Sequence, residues 1–263
     1  MIQIKNLWKS FEGKQVLKGL DLHIPRGDTL VIMGRSGCGK SLLLKLVTGL
    51  MQPDAGEILV DGEEISGLKF KELNHMRRKF GLLFQSAALF DSMSVEENVG
   101  FMLAQHTKLS RAQIREIVIE KLHLVDLDGT EHLRPAELSG GMRKRVGLAR
   151  AIAFDPEVIL YDEPTTGLDP VTCVEINRLI QSLHEKLEVT SVVVTHDMDS
   201  AFTVATRMAM IHSGKIVAFG HPNEMLENDD PILQQFILLG APEQILNVSN
   251  PVLKEFILNL REE

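Results

Sequence analysis

The apolar positions of this chain fall into two kinds of run. Near the N-terminus they alternate: Ile2, Ile4 and Leu7 outline one half-buried strand, Gly13 marks a turn, and Leu20, Leu22 and Ile24 outline another strand before Pro25-Arg26-Gly27. Elsewhere they are short and continuous. Thr29–Met33, Phe80–Phe84, Val158–Tyr161 and Thr190–Thr195 read as strands buried on both faces. Leu42–Thr48 carries straight-chain helix formers and stops at Gly49. After the turn Pro53-Asp54-Ala55-Gly56, residues 57 to 62 form a strand that ends in a second turn. Residues 94 to 155 are helical in pattern, with capping boxes at Ser94 to Glu97 and Ser110 to Gln113 and a break at Pro135. Met208–His212 and Lys215–Phe219, joined through Ser213-Gly214, predict a hairpin.

Between the strand Thr29–Met33 and the helix that follows lies Gly34-Arg35-Ser36-Gly37-Cys38-Gly39-Lys40-Ser41, a full match to G-x-x-x-x-G-K-[ST]. Its glycines let backbone N–H groups close around phosphate oxygens, and the new helix adds partial positive charge at its start. Lys40 then reaches the β and γ phosphates, and Ser41 offers a hydroxyl to Mg²⁺. By composition alone such a match turns up in roughly one chain of this length in a hundred. The flanking strand and helix make chance the poorer account. Cys38 sits near Lys40 and a helix N-terminus, both of which favour thiolate; the bland reading is a small residue filling a tight turn.

The other buried strands also end in polar residues. Gln85 follows the second, Asp162 and Glu163 end the third, and His196 follows the fourth. Polar tips at the C-terminal ends of parallel strands line the ligand edge of such a sheet. Asp162 would hold Mg²⁺, directly or through water, and Glu163 would polarise an attacking water. Taken singly, Gln85 is as well explained as a solvated loop residue and His196 as a structural histidine. Leu138-Ser139-Gly140-Gly141-Met142 opens a basic helix at Arg143-Lys144-Arg145 and is either a second anion-binding N-terminus or an ordinary Ser cap. Gly167-Leu168-Asp169-Pro170 reads as a turn and helix start. Phe11, upstream of the phosphate loop, either stacks on a purine or joins the core.

A length of 263 residues gives ample core for one large domain or two small ones. The formal charge of −8 leaves no electrostatic footprint for nucleic acid. No apolar run approaches the roughly 18 to 20 residues that span a bilayer, and Met1–Lys5 lacks a signal peptide's apolar core. The expectation is a cytoplasmic protein whose membrane role comes through a partner. Cys38 and Cys173 make no disulfide framework.

Taken in order, these motifs resemble the ATP-binding cassette (ABC) family over roughly residues 1 to 228. The resemblance implies an α/β P-loop NTPase core with an antiparallel β subdomain, and a helical subdomain over about residues 87 to 152. It identifies Phe11 with the adenine-stacking aromatic and Gly34 to Ser41 with the Walker A loop. Gln85 matches the Q-loop glutamine that senses Mg²⁺ and water, Asp162 the Walker B aspartate, and Glu163 the catalytic base. Asp169 matches the D-loop aspartate and His196 the switch histidine. Leu138 to Met142 matches the signature loop, which in this family contacts the γ-phosphate held by a second subunit. ATP would then join two copies head to tail, and closure would pull on integral-membrane permease subunits from the inner face of the cytoplasmic membrane. Met142 replaces the more common Gln, and Met-ending signatures followed by a basic helix resemble the subset serving Mla-type and Mce-linked phospholipid trafficking. Leu83 to Phe90 resembles that subset's Q-loop region, although Ala87 stands where many of its members carry Gly. An Mce-type substrate-binding subunit is then a further expected partner. Soluble ABC proteins of translation or DNA repair are the competing class, but they carry paired cassettes or long coiled coils that do not appear here. Glu163 and His196 argue against a non-hydrolysing module, and the signature loop against a P-loop kinase.

The C-terminus carries a repeat that the family resemblance does not supply. Gly220 to Leu226 is echoed twenty positions later by Gly240 to Leu246, and Pro231 to Leu238 by Pro251 to Leu258. This divides the chain into an ATPase domain over 1–238 and a tail over 239–263 that duplicates residues 220–238. Val252, Leu253, Phe256, Ile257 and Leu260 fall at helical spacing on one face, which packs either on the chain's own core or on a partner ATPase. Removing residues 240 to 263 separates the two. Docking on a partner predicts a folded monomer that binds ATP but dimerises poorly, whereas unfolding of the truncated monomer would point to its own core.

Overall fold

The computed structural model describes residues 1–239, in two compact units. One comprises Met1–Leu73 and the chain from Val192 onward; the other is Asn74–Ser191. In chain order the elements are β1 (Ile2–Phe11), β2 (Lys14–Ile24), β3 (Thr29–Met33), α1 (Lys40–Val47), β4 (Ala55–Val60), β5 (Glu63–Glu64) and α2 (Phe70–Arg77). Then come β6 (Phe80–Leu83), α3 (Val95–His106), α4 (Arg111–Leu124), a 3₁₀ turn at Pro135–Glu137, α5 (Gly140–Ile152), β7 (Val158–Asp162) and α6 (Pro170–Leu187). The chain closes with β8 (Thr190–Thr195), α7 (Met198–Val204), β9 (Arg207–His212), β10 (Lys215–Gly220), α8 (Pro222–Leu226) and α9 (Pro231–Leu239). The expected second copy of the C-terminal repeat lies outside the described residues. The first copy consists of α8 and α9.

The discontinuous unit holds an antiparallel sheet in the order β2-β1-β4-β5. Ile2, Ile4 and Leu7 face inward across from Ile24, Leu22 and Leu20, so the alternation read from the sequence is a ladder with one buried face. The same unit holds β10-β9-β3-β8 of a second sheet, with β3 and β9 parallel. Every residue of β3 is buried, each apolar side chain contributing ~1.5 to 3 kcal/mol. The Thr29 amide donates to Thr206 Oγ1 at 2.9 Å, and Arg207 Nε to Asp28 Oδ2 at 2.5 Å, pinning the entry to this strand.

The contiguous unit pairs β6 with β7 in parallel and packs α3, α4 and α5 together. Val95, Val99, Val118, Leu122 and Val146 are fully buried there. Both sequence-predicted capping boxes form, at Ser94 on α3 and at Ser110 on α4. The turn preceding α3 is held by Asn98, itself fully buried. Its Oδ1 accepts from the Phe90 amide at 2.8 Å, and its Nδ2 donates to the carbonyls of Phe90 (3.1 Å), Met93 (3.3 Å) and Ser94 (3.0 Å). One side chain thus satisfies a turn's worth of backbone.

Asn98→Ala takes the partner from several part-buried backbone groups at once, and should cost about 1–3 kcal/mol. Urea denaturation should show a lower midpoint at constant slope. An unchanged midpoint would mean that these groups find other partners.

Candidate functional site

In the discontinuous unit the site is built where β3 ends. The loop from Gly34 leads into α1, whose first residue is Lys40. Gly34 and Gly39 have φ of 151° and 110°. A Cβ would come within 2.4 Å of the Ile211 carbonyl oxygen at the first and 2.9 Å of Leu17 Cδ2 at the second. At these two positions a side chain would be both crowded and strained. Lys40 is buried, and its Nζ donates to the carbonyls of Gly34 at 2.7 Å and Arg35 at 3.4 Å, so its ammonium is folded over the loop. No side chain caps α1 at Gly39, and a helix start of this kind suits an anion. Arg35, Ser36 and Gly37 are exposed, while Cys38 and Ser41 are half-buried. Glycine loop, buried lysine and uncapped helix fit a polyphosphate.

β8 is the neighbour of β3, and His196 follows it, exposed. Asp197 then caps α7, accepting from the Asp199 amide at 3.1 Å and the Ser200 hydroxyl at 2.6 Å. Phe11 is 43% exposed, which removes the core reading of that ring. Lys9 Nζ lies 5.7 Å from its centroid.

In the contiguous unit, β6 and β7 finish at one edge because they are parallel, with Leu83 opposite Tyr161. Gln85 and Glu163 each stand two residues beyond that last matched pair. Gln85 is exposed, Asp162 half-buried and Glu163 buried. Glu163 has φ 49°, a conformation that costs a non-glycine residue of order 1–3 kcal/mol and collects at functional sites. The Thr166 hydroxyl donates to Glu163 Oε2 at 3.1 Å. Ala87 and Ala88 are also left-handed, at 60° and 45°. Here Arg150 holds the bend, Nη1 donating to the Ala88 carbonyl at 2.7 Å and Nη2 to that of Ala87 at 2.6 Å.

α5 carries a second internal cation. Lys144 Nζ donates to the carbonyls of Gln85 at 2.5 Å and Glu163 at 3.1 Å. Burial pulls its pKa below that of a free lysine, against the opposing pull of Asp162, Glu163 and Cys173. Burial likewise lowers that of Arg150. In the sequence Lys144 stands only as part of a basic helix and Arg150 is not singled out, because residue type does not mark which cation turns inward.

The loop ahead of α5 is capped by Ser139, whose Oγ accepts from the Met142 amide at 3.2 Å, and Leu138 is buried beside it. A Cβ on Gly141 would come within 2.7 Å of Thr172 Cγ2, and one on Gly140 within 3.2 Å of Leu168 Cδ2. The start of α5 therefore lies against the start of α6. Asp169 caps α6, accepting from the Val171 and Thr172 amides at 3.1 Å each and from the Thr172 hydroxyl at 2.6 Å. Those Thr172 bonds hold its carboxyl below the usual carboxylate range. Gln85, Asp162, Glu163, Asp169 and the loop at Ser139 are thus gathered in this unit, and Phe11, residues 34 to 41 and His196 belong to the other.

Cys38 forms no disulfide and sits inside the glycine loop, its amide donating to the Arg35 carbonyl at 3.2 Å. Alkylation there should block ATP binding, and ATP should slow the labelling. Labelling at the same rate with and without nucleotide would leave Cys38 as a turn filler only.

The ABC transporter family profile matches residues 17–166. The chain is 44% identical over 236 residues to a probable ribonucleotide transport ATP-binding protein, Mkl, of Mycobacterium leprae, covering 90% of this chain and 68% of that one. It is 43% identical over 237 residues to the intermembrane phospholipid transport system ATP-binding protein MlaF of Haemophilus influenzae, covering 90% of each. Among solved structures, the dimeric ATP-binding cassette MJ0796 in a post-hydrolysis state with ADP and Pi is similar at a TM-score of 0.77 and 34% identity, over 84% of this chain and 98% of that one. CbiO1 of Clostridium perfringens is similar at 0.81 and 28% identity, over 100% of this chain and 98% of that one. With a P-loop core, an antiparallel β sheet and a helical segment in the expected order, the chain belongs to the ABC transporter family and is one of its ATPases.

Proposed function

We propose that this chain is the ATP-hydrolysing subunit of a membrane transporter that moves phospholipid or another hydrophobic substrate. The observation that carries the cargo is the match to MlaF, which extends over nine tenths of both chains and is joined by the Met-ending signature at Met142. The Mkl proteins, named for ribonucleotide transport, are matched over about two thirds of their length, 68% and 66% in two of them.

Gly34 to Ser41 would bind the phosphates of ATP, with Lys40 leaving the loop carbonyls for the β and γ oxygens, and Phe11 would stack on the base. Among the described residues no three His, Cys, Asp or Glu side chains are grouped to hold a metal. A Mg²⁺ ion here would take much of its oxygen shell from phosphate and water, as this cation commonly does. Ser41, Gln85 and Asp162 would supply the protein's share, Asp162 through water, and the bound ion would neutralise charge on the phosphates. Glu163 orients or deprotonates the attacking water, and His196 contacts the γ-phosphate. A buried carboxylate in a strained backbone position, hydrogen-bonded by Thr166, is a reasonable form for such a base.

Ser139, Gly140 and Gly141 would act on ATP held by a second copy, so that nucleotide joins the copies head to tail, with Asp169 at the join. The dimeric cassette among the similar structures supports this arrangement. A groove of about 590 Å³ in the contiguous unit, lined by Phe84, Phe90, Phe101, Phe154, Arg77 and Arg78, starts beside the loop of Gln85. We infer that a permease segment docks there, with an Mce-type subunit completing the assembly. Among the described residues no helix is long and apolar enough to cross a membrane. The likeness to MlaF supports placing the chain at the cytoplasmic face, held there through this contact.

Glu163→Gln should keep ATP affinity, lower turnover by about two to four orders of magnitude, and accumulate an ATP-bound dimer. Near-normal turnover in the assembled transporter would remove Glu163 from the base role.

A further inference from the structure

Lys144 lies on α5 between Arg143, which is exposed, and Arg145, which is 13% exposed and ion-paired to Asp126 at 2.9 Å and Glu175 at 3.3 Å. Lys144 itself is only 5% exposed. An ammonium ion loses much hydration when buried and is tolerated only where its donors are used. Here two of the three are spent on main-chain oxygens, at Gln85 and at Glu163. Those carbonyls are equivalent by register. β6 and β7 match as far as Leu83 and Tyr161, and Gln85 and Glu163 follow two residues later, where the strands have ended. The ammonium therefore takes over where the β ladder stops, tying together the two backbones that carry these side chains.

Both tied segments are under local strain. Glu163 is left-handed, and Ala87 and Ala88 form two successive left-handed residues just after Gln85. A non-glycine residue persists in that conformation only where its surroundings hold it. Arg150, six positions further along α5, supplies the second hold through the carbonyls of Ala87 and Ala88. One rigid helix, which starts at the signature loop, thus fixes the loop of Gln85 from two points and the backbone of Glu163 from one. Neither cation reaches the Glu163 carboxylate in these contacts. Through these contacts they set the backbone that carries Gln85 and Glu163, and Lys144 also attracts the Asp162 and Glu163 carboxylates through space.

We propose that Lys144 is a positioning residue for hydrolysis, locking Gln85 and Glu163 into a single unit on α5 so that the two side chains move together with the signature helix. The proposal rests on Glu163 being the base, and the experiment keeps the two ideas apart. An apolar side chain of similar length would fill the same volume without the two bonds. A Lys144 that served stability alone would lower the melting temperature in Lys144→Met and leave kcat unchanged.

The test is steady-state ATPase kinetics with Mg-ATP on the full chain assembled with its membrane partners, together with thermal melting. Lys144→Met should lower kcat by about tenfold to a hundredfold with KM for ATP changed by less than about threefold, the signature of displaced catalytic groups. Lys144→Arg, which keeps the charge and the donors, should recover most of the loss. The double variant Lys144→Met/Glu163→Gln should be within about twofold of Glu163→Gln alone, because the brace acts through a group already removed. If Lys144→Met fails to fold, Lys144→Gln, with a neutral amide donor, takes its place in the same comparisons. A slow Glu163→Gln alongside wild-type kcat in the Lys144 variant overturns the brace and leaves the base standing. So do multiplicative losses in the double variant. A rapid Glu163→Gln overturns the base, and with it the route by which Lys144 is held to act.

Discussion

A strand buried on both faces has no place for charge along its length, so whatever polar chemistry it carries must stand where it ends. β3, β7 and β8 are of this kind, buried throughout apart from half-buried Asp162 at the last position of β7. The glycine loop, Asp162 with Glu163, and His196 occupy those ends. β6 follows the same rule more loosely, with Gln85 two residues past its end. Burial of the strands fixes the backbone from which the reactive groups project, so their placement follows from apolar packing. Side-chain contacts among them add the finer adjustment.

That adjustment is concentrated on α5. Its N-terminus packs closely against the start of α6 at Gly140 and Gly141, and its body delivers a buried lysine and a half-buried arginine to backbone carbonyls. Cations aimed at carbonyls hold loop geometry through the main chain. The glycine loop uses a similar device in Lys40, whose ammonium covers the carbonyls of Gly34 and Arg35. In both clusters a lysine stabilises a backbone turn that the chain would not hold by itself.

Much of this was legible in the sequence because it depends on periodicity and on a few residue types. The alternation at Ile2, Ile4 and Leu7, the continuous run of β3, and the capping boxes at Ser94 and Ser110 each have one structural meaning, and each forms as read. Other features had no such signal. α2 opens with Phe70, which is 76% exposed, and has only Leu73 and Met76 as buried apolar positions, too short a stripe to announce a helix. α7 begins only two residues after His196 and was hidden behind the strand end. Left-handed backbone at Ala87, Ala88 and Glu163 involves residues that seldom adopt it, and composition gives no warning. Lys144 sits among three consecutive basic residues whose charge is identical. Only burial separates the one that braces the site from its neighbours.

The division of the chain has a consequence for how the protein is made. The unit holding the glycine loop is interrupted in sequence by all of Asn74–Ser191, and the strands flanking β3 in its sheet, β8 and β9, begin only at the end of that interruption or beyond it. During synthesis the contiguous unit can collapse as soon as it leaves the ribosome, whereas β3 must wait with its apolar side chains uncovered for partners more than a hundred residues later. The phosphate loop therefore takes shape late, once β8 and β9 have been translated. A nascent chain carries the full nucleotide-binding motif well before it has a strand pair to support it, so a chain arrested before β8 would be both unable to hold ATP and prone to aggregate through β3.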